Sequence, residues 1–277
     1  MKHKTSFGAM FLLIFLAIVF LFPFIYMFGG ALKTNEEALT NPASVFPGRF
    51  HWENFKAVFT ESKLNIPIQT KNSLITTFAV TLGQILVAAL AGYAFARIKF
   101  IWRDPLFMIF LATLIVPFEL LFVPLYLMLA KWGWINTYWA LIITSLGNPF
   151  AIFMFRQFFI TVPKELEEAM VMDGAGYFRT FWSLMLPLSG PPTISIFILT
   201  WLAEWSGLLK QMLFTTSEKM WTLQVGLNFL NRGAQVTTPT IAYLMAGIVL
   251  ATIPPVIMFL IMQRRFVESI AATGLKG

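Results

Sequence analysis

Two carboxylates stand inside apolar runs of this sequence, Glu119 in TLIVPFELLFVP and Glu204 in ILTWLAEWSG. An ionised side chain at the centre of a bilayer costs roughly 2.5–3.5 kcal/mol or more, so each is a candidate for function. Trp201 and Trp205 flank Glu204, and Gln84 and Asn148 add neutral polar groups in other apolar runs. Carboxylates accept hydrogen bonds from hydroxyls, and an indole offers a flat apolar face. Together these six residues read as the lining of a path for a polyhydroxylated solute. In competing readings Glu204 snorkels to the outer interface and Glu119 pairs with a partner subunit. With no Cys in the chain, and His3 and His51 as its two imidazoles, a thiolate or histidine metal centre is not expected.

The elements that hold these groups must be helices in lipid. Of 277 residues, 58% are hydrophobic and 12% charged, and the mean hydropathy is +0.74. A soluble domain carries about twice that charged share. Six runs reach the roughly 20 residues that a spanning helix needs. They cover about 7–32, 74–95, 105–130, 138–154, 191–209 and 241–262. All are apolar around their circumference, which excludes a soluble bundle with polar stripes. The first follows Lys2, His3 and Lys4 but outruns a signal-peptide core, so it reads as a retained span. The chain reads as a single membrane domain, 1–277. Its net charge of +7 fits cations at span ends facing anionic lipid, not nucleic acid.

With both termini inside, eleven basic residues fall inside and nine outside. The compact clusters Arg97-Lys99-Arg103 and Arg264-Arg265 then lie inside, as the positive-inside rule prefers. Pro117, Pro124 and the pair Pro254-Pro255 predict kinks in the third and sixth spans. At about 1.5 Å per residue, Glu119 lies roughly 21 Å beyond Pro105 and Glu204 roughly 20 Å beyond Pro191, which predicts matched depths in the outer half.

The segment between the fourth and fifth spans, about 157–190, has a different character. Its core reads TVPKELEEAMVMDGAGYFRTFWSLMLPLSGPP. Pro163 suits a helix start, and Glu165, Glu167 and Glu168 follow near the N-terminus, where negative charge is favoured. Glu165, Glu168 and Met172 share a face by helical spacing. Gly174 stops or bends that helix, and a second short helix is predicted from Tyr177 to Met185. The result is a two-helix knob with an acidic and apolar face for a partner's cleft.

This segment resembles the EAA loop of bacterial ABC-importer permeases. Glu168-Ala169-Met170 precede Gly174 at the motif's spacing, and Leu184, Leu186 and Pro187 occupy its closing positions. The longer pattern of Pro163, Glu165-Leu166, Glu168-Ala169 and Asp173-Gly174-Ala175 is similar to the carbohydrate branch. So are Gly92 to Arg97, Val123 to Tyr126, Ile135 to Trp139, Phe155 to Phe159, and Gln263 to Val267 with Gly274 to Gly277. Together these stretches resemble the shorter, six-span permease of maltose-type transporters. Trp205-Ser206-Gly207 departs from the Trp-Asn-acid usual there, and Glu268-Ser269 stands where Gly is more common. These departures bear on the substrate.

The resemblance implies an all-α type I importer permease with a cytoplasmic EAA coupling loop, in the bacterial inner membrane. It implies four kinds of partner: a second homologous permease, two ATP-binding subunits, an extracytoplasmic sugar-binding protein, and membrane lipid. Glu165, Glu168, Ala169, Asp173, Gly174, Ala175 and Pro187 would form the ATPase-docking surface. Residues near Gly274 to Gly277 would also approach the ATPases. ATP and Mg would be bound by those partners, leaving this chain without cofactor or catalytic residue. No GxxxxGK[ST] phosphate loop occurs in it. Two other classes compete. An ion-coupled secondary transporter would use Glu119 as a proton or sodium site. A membrane scaffold or sensor would leave the acids idle. Two acids also disfavour an anion such as glycerol phosphate.

Overall fold

The computed structural model describes residues 7–60, 65–234 and 241–274, with backbone alone at 7, 232–234 and 264–274. Lys2, His3, Lys4 and residues 275–277 lie outside the described residues, as do the side chains of Arg264 and Arg265. No strand occurs among the described residues, so the chain is all-α. It gathers into two compact units, Met1–Gln69 with Leu223–Pro254, and Thr70–Thr222 with Pro255–Gly277.

Among the described residues, three unbroken helices are long and apolar enough to cross a membrane: α1 (Phe7–Ala31), α4 (Ile66–Arg97) and α15 (Ile241–Gly274, apolar to Gln263). Three bent pairs bring the total to six when each pair is one span. In the first unit, the short helices α2 (Asn35–Thr40) and α3 (Glu53–Thr60) follow α1, and α14 (Leu223–Ala234) precedes α15. Lys33 is buried there and donates to the carbonyls of Asn41, at 2.9 Å, and Ser44. Asn54 donates back to the carbonyls of Ala31 and Lys33.

The second unit holds the bent pairs. The third span is α5 (Arg103–Ala112) and α6 (Phe122–Lys131), joined by two 3₁₀ turns and bent by 94°. Pro117 forces Val116 into extended backbone, at φ −83° and ψ 116°, and the helix cannot continue through it. The expected kink is therefore a right-angled break. The depth of Glu119 is therefore not given by counting along a straight helix. The fourth span is α7 (Tyr138–Ile142) with a 3₁₀ turn and α8 (Pro149–Thr161), bent by 44°. The fifth enters from the coupling segment and turns by 74° into α12 (Gly190–Ser206), followed after Gly207 by α13 (Leu209–Phe214). α15 continues as helix through Pro254-Pro255.

α4 organises this unit. Its buried face carries Asn72, Ser73, Thr76, Thr77, Thr81 and Gln84, then Ala88 and Ala89. Polar side chains in a span turn away from lipid and bond across helices. Asn72 accepts from the Tyr138 hydroxyl at 2.6 Å and donates to the carbonyls of Lys219 and Trp221. Gln84 donates to the Ser145 carbonyl at the break in the fourth span and accepts from Thr200 of α12. Asn136, at φ +62°, accepts from the backbone of Thr216 and Ser217 and donates its own N–H to Phe214. The Ile135 to Trp139 stretch is thus a tie between two loops.

At Gly92 the backbones of α4 and α8 approach closely. A Cβ there would stand 2.7 Å from Phe155 Cβ and 2.9 Å from the Arg156 amide nitrogen. Neither neighbour can swing aside, because Phe155 is fully buried in the core with Phe159, Phe181 and Met185. Gly92→Leu should destabilise the protein by about 1–3 kcal/mol or more, as overpacking does, and lower its melting temperature in detergent.

Candidate functional site

Two surfaces matter, a cavity within the spans and the coupling segment. The cavity, about 880 Å³, is lined by Gln84, Glu119, Asn148, Glu204 and Lys210 among others. Four of the six residues singled out for chemistry therefore come together. They do not play equal parts. Glu119 lies on the 3₁₀ turn Phe118–Leu121, is exposed, and makes no ion pair among the described residues. It can accept hydrogen bonds from a solute. Asn148 caps α8, its Oδ1 accepting from the amides of Phe150 and Ala151. Gln84 is held by Ser145 and Thr200. Both are framework first.

Glu204 is paired. Lys210 Nζ lies 2.8 Å from both of its oxygens and also donates to Ser145 Oγ and, at 3.3 Å, to the Leu141 carbonyl. Lys210 is 7% exposed. A buried ammonium is tolerable only with an anion and a full set of acceptors, and this one has both. Hydropathy placed Lys210 in a loop, where it counted as an outer charge; the signal overlooked was a lysine one short turn beyond an intramembrane acid. Trp201 and Trp205 are 2% and 3% exposed and stack on each other with centroids 5.4 Å apart. Their indoles do not line the cavity, so the expected aromatic face is spent inside the protein, where it packs the end of α12.

The coupling segment begins with α9 (Lys164–Met172). Glu165, Glu168, Ala169 and Asp173 are exposed, as are Leu166, Val171 and Met172, the last at 86%. The helix ends in a Schellman turn. Gly174 takes φ +76°, its amide donates to Val171, and the Ala175 amide donates to Met170, both at 2.9 Å. Ala175 is buried and anchors the turn. The chain reverses into α10 (Tyr177–Thr180), continues through a π turn over Phe181–Met185, and ends as α11 (Leu186–Leu188). The second helix is thus longer than expected. Pro187, exposed in α11, offers no amide to the preceding turn, in keeping with the π geometry before it.

The inner side of α9 is pinned. Glu167 meets Arg97, at the end of α4, with Oε1 3.1 Å from Nε. That oxygen is fully buried and lacks a well-angled hydrogen bond, so the contact is an ion pair alone. Burial pushes the Glu167 carboxyl above its usual range, against the pull of Arg97 and Lys164. α9 thus has a pinned inner face and an open acidic outer face, unlike a packed core helix.

A family model described as "binding-protein-dependent transport system inner membrane component" matches residues 84–271, from the cavity through the coupling segment and beyond. The chain belongs to that family. It is an inner-membrane, multi-pass component of a transport system that depends on a separate binding protein. The chain is 32% identical over 286 residues to the arabinooligosaccharides transport system permease protein AraQ of Halalkalibacterium halodurans, with 100% of both chains covered. It is 32% identical over 261 residues to the sn-glycerol-3-phosphate transport system permease protein UgpE of Brucella melitensis, covering 92% of each. Its fold matches a chain from the crystal structure of a bacterial ABC transporter involved in the import of the acidic polysaccharide alginate. The TM-score is 0.80, at 23% identity over 96% of this chain and 98% of that one.

Proposed function

We propose that this chain is one of two permease subunits of an ATP-driven importer for a neutral sugar or oligosaccharide. The observation that carries it is α9, which presents Glu165, Glu168, Leu166 and Met172 exposed and ends in a Schellman turn. Such a face suits a groove in a separate ATPase, which would bind ATP and Mg and drive the spans. The loop is then cytoplasmic, with both termini inside. Purification in mild detergent should bring down an ATPase and a second, longer permease. Transport by this chain alone in liposomes would overturn the reading in favour of an ion-coupled carrier.

The cavity supports a neutral solute. It offers two carboxylates against one ammonium, and that ammonium is already taken by Glu204. The relation to UgpE favours glycerol phosphate as a second reading, but a phosphate would need an unspent cation from elsewhere. Uptake in proteoliposomes of the full transporter should favour an arabino-oligosaccharide over sn-glycerol-3-phosphate. Glu119→Gln should weaken uptake affinity on the order of tenfold, as loss of a hydrogen bond to a charged group does. Unchanged affinity and rate would remove Glu119 from the pathway.

A further inference from the structure

Two arginines cross between α4 and α8. Arg97, in the last turn of α4, donates through Nε and Nη2 to the carbonyl of Phe159, at 3.1 and 2.7 Å, and through Nη2 to that of Val162. Both carbonyls stand at the C-terminal end of α8, where that of Phe159 also receives the Val162 amide at 3.3 Å. Arg156, in α8, reaches the other way and donates to the Phe95 carbonyl in the last turn of α4 at 3.3 Å. Its guanidinium lies 4.1 Å from the Phe107 ring centroid and 3.7 Å from Asp104, both on α5. Each helix thus has its C-terminus capped by an arginine of the other. Arg97 is 6% exposed and spends its remaining contact on Glu167 of α9.

We infer that this reciprocal clasp makes Arg97 the positioning residue that joins the coupling helix to the spans, so that displacement of α9 moves α4 and α8 as one piece. The inference rests on the reading of α9 as the docking element. It is distinct from docking, because Arg97 and Glu167 lie on the pinned side of α9 and Glu165 and Glu168 on the open side. The planar fork suits this place, with Nε and Nη2 side by side toward the two carbonyls and Nε also facing the carboxylate. Energetic coupling needs an element that both sites bias, and the clasp is such a joint.

The test uses the assembled transporter and the absence of native cysteine in this chain. Thr113→Cys in the cavity wall provides a single thiol reporter on this subunit. Its labelling rate by a membrane-impermeant maleimide is measured with and without ATP plus vanadate. In the otherwise native chain the two rates should differ. In Arg97→Gln the ATPase should copurify in full while the nucleotide-dependent change in rate falls about tenfold, within the range of allosteric couplings. Glu167→Gln leaves the carbonyl bonds in place and should give a smaller, several-fold loss. A full response in both variants, or loss of the ATPase in step with the response, would overturn the inference. If Arg97→Gln does not fold, an unchanged response in Glu167→Gln overturns it alone. Failure of the native chain to copurify an ATPase strikes the underlying reading instead.

Discussion

Lys210→Met is expected to be among the most damaging single substitutions in the membrane part of this protein. It leaves Glu204, 14% exposed at its side chain, without its counter-ion, and takes the ammonium donor from Ser145 Oγ and the Leu141 carbonyl. Removing one partner of a buried pair costs about 3–5 kcal/mol, because the remaining charge stays uncompensated. Denaturation by SDS titration should show that loss. The double variant Lys210→Met with Glu204→Gln should recover most of it, since neutralising both partners removes the unpaired charge. The double variant also separates two roles of Glu204. If the carboxylate serves only the pair, transport returns with stability. If it also receives solute hydroxyls, stability returns and transport does not. A single variant as stable as the native chain would mean that the pair contributes nothing to the fold.

The same residues mark how far the sequence could be read. The spans were legible because lipid imposes a length and an apolar surface on any crossing helix. The coupling segment was legible because its instructions are local: acids near a helix start, a glycine at the stop, a reversal after it. Glu119, Gln84, Asn148 and Glu204 were found because a polar residue in an apolar run is conspicuous, and the fold does bring them to one cavity. Their differing roles were not legible. That Asn148 is a cap follows from the break at Leu146 to Asn148, and that break is set by tertiary packing. Trp201 and Trp205 looked available because aromatic residues next to an acid suit a sugar; their spacing of four also suits stacking on one helix face, and stacking won. Pro117 announced a kink but not its size, which depends on the extended Val116 and the 3₁₀ turns on both sides. Arg97 and Arg156 were visible as residues near span ends. Their exchange of carbonyls joins positions far apart in the chain, and no single-helix pattern encodes it.

Gly174→Val should abolish most transport while leaving the unfolding of the spans unchanged. The reason is conformational. Gly174 holds φ +76°, a region that costs a residue with a Cβ about 1–2 kcal/mol, and a β-branched one more. No atom lies within 4 Å of where the new Cβ would stand, so there is no clash to relax and the strain is purely that of the backbone. The cheapest escape is to leave the left-handed conformation. That breaks the Val171 and Met170 carbonyl bonds and redirects the chain before Ala175. The exposed face of α9 then loses its fixed angle to the second helix, and with it the fit to a rigid groove. The span core around Tyr93, Phe155 and Phe159 is built by α4 and α8, neither of which contains this turn. Gly174→Asn supplies the control, because asparagine tolerates the left-handed region and can end a Schellman turn. It should transport at close to the native rate and retain the ATPase on purification, while the valine variant retains little. Equal activity in both variants would mean that the turn serves only to connect two helices, and that the direction in which α9 points is immaterial to coupling.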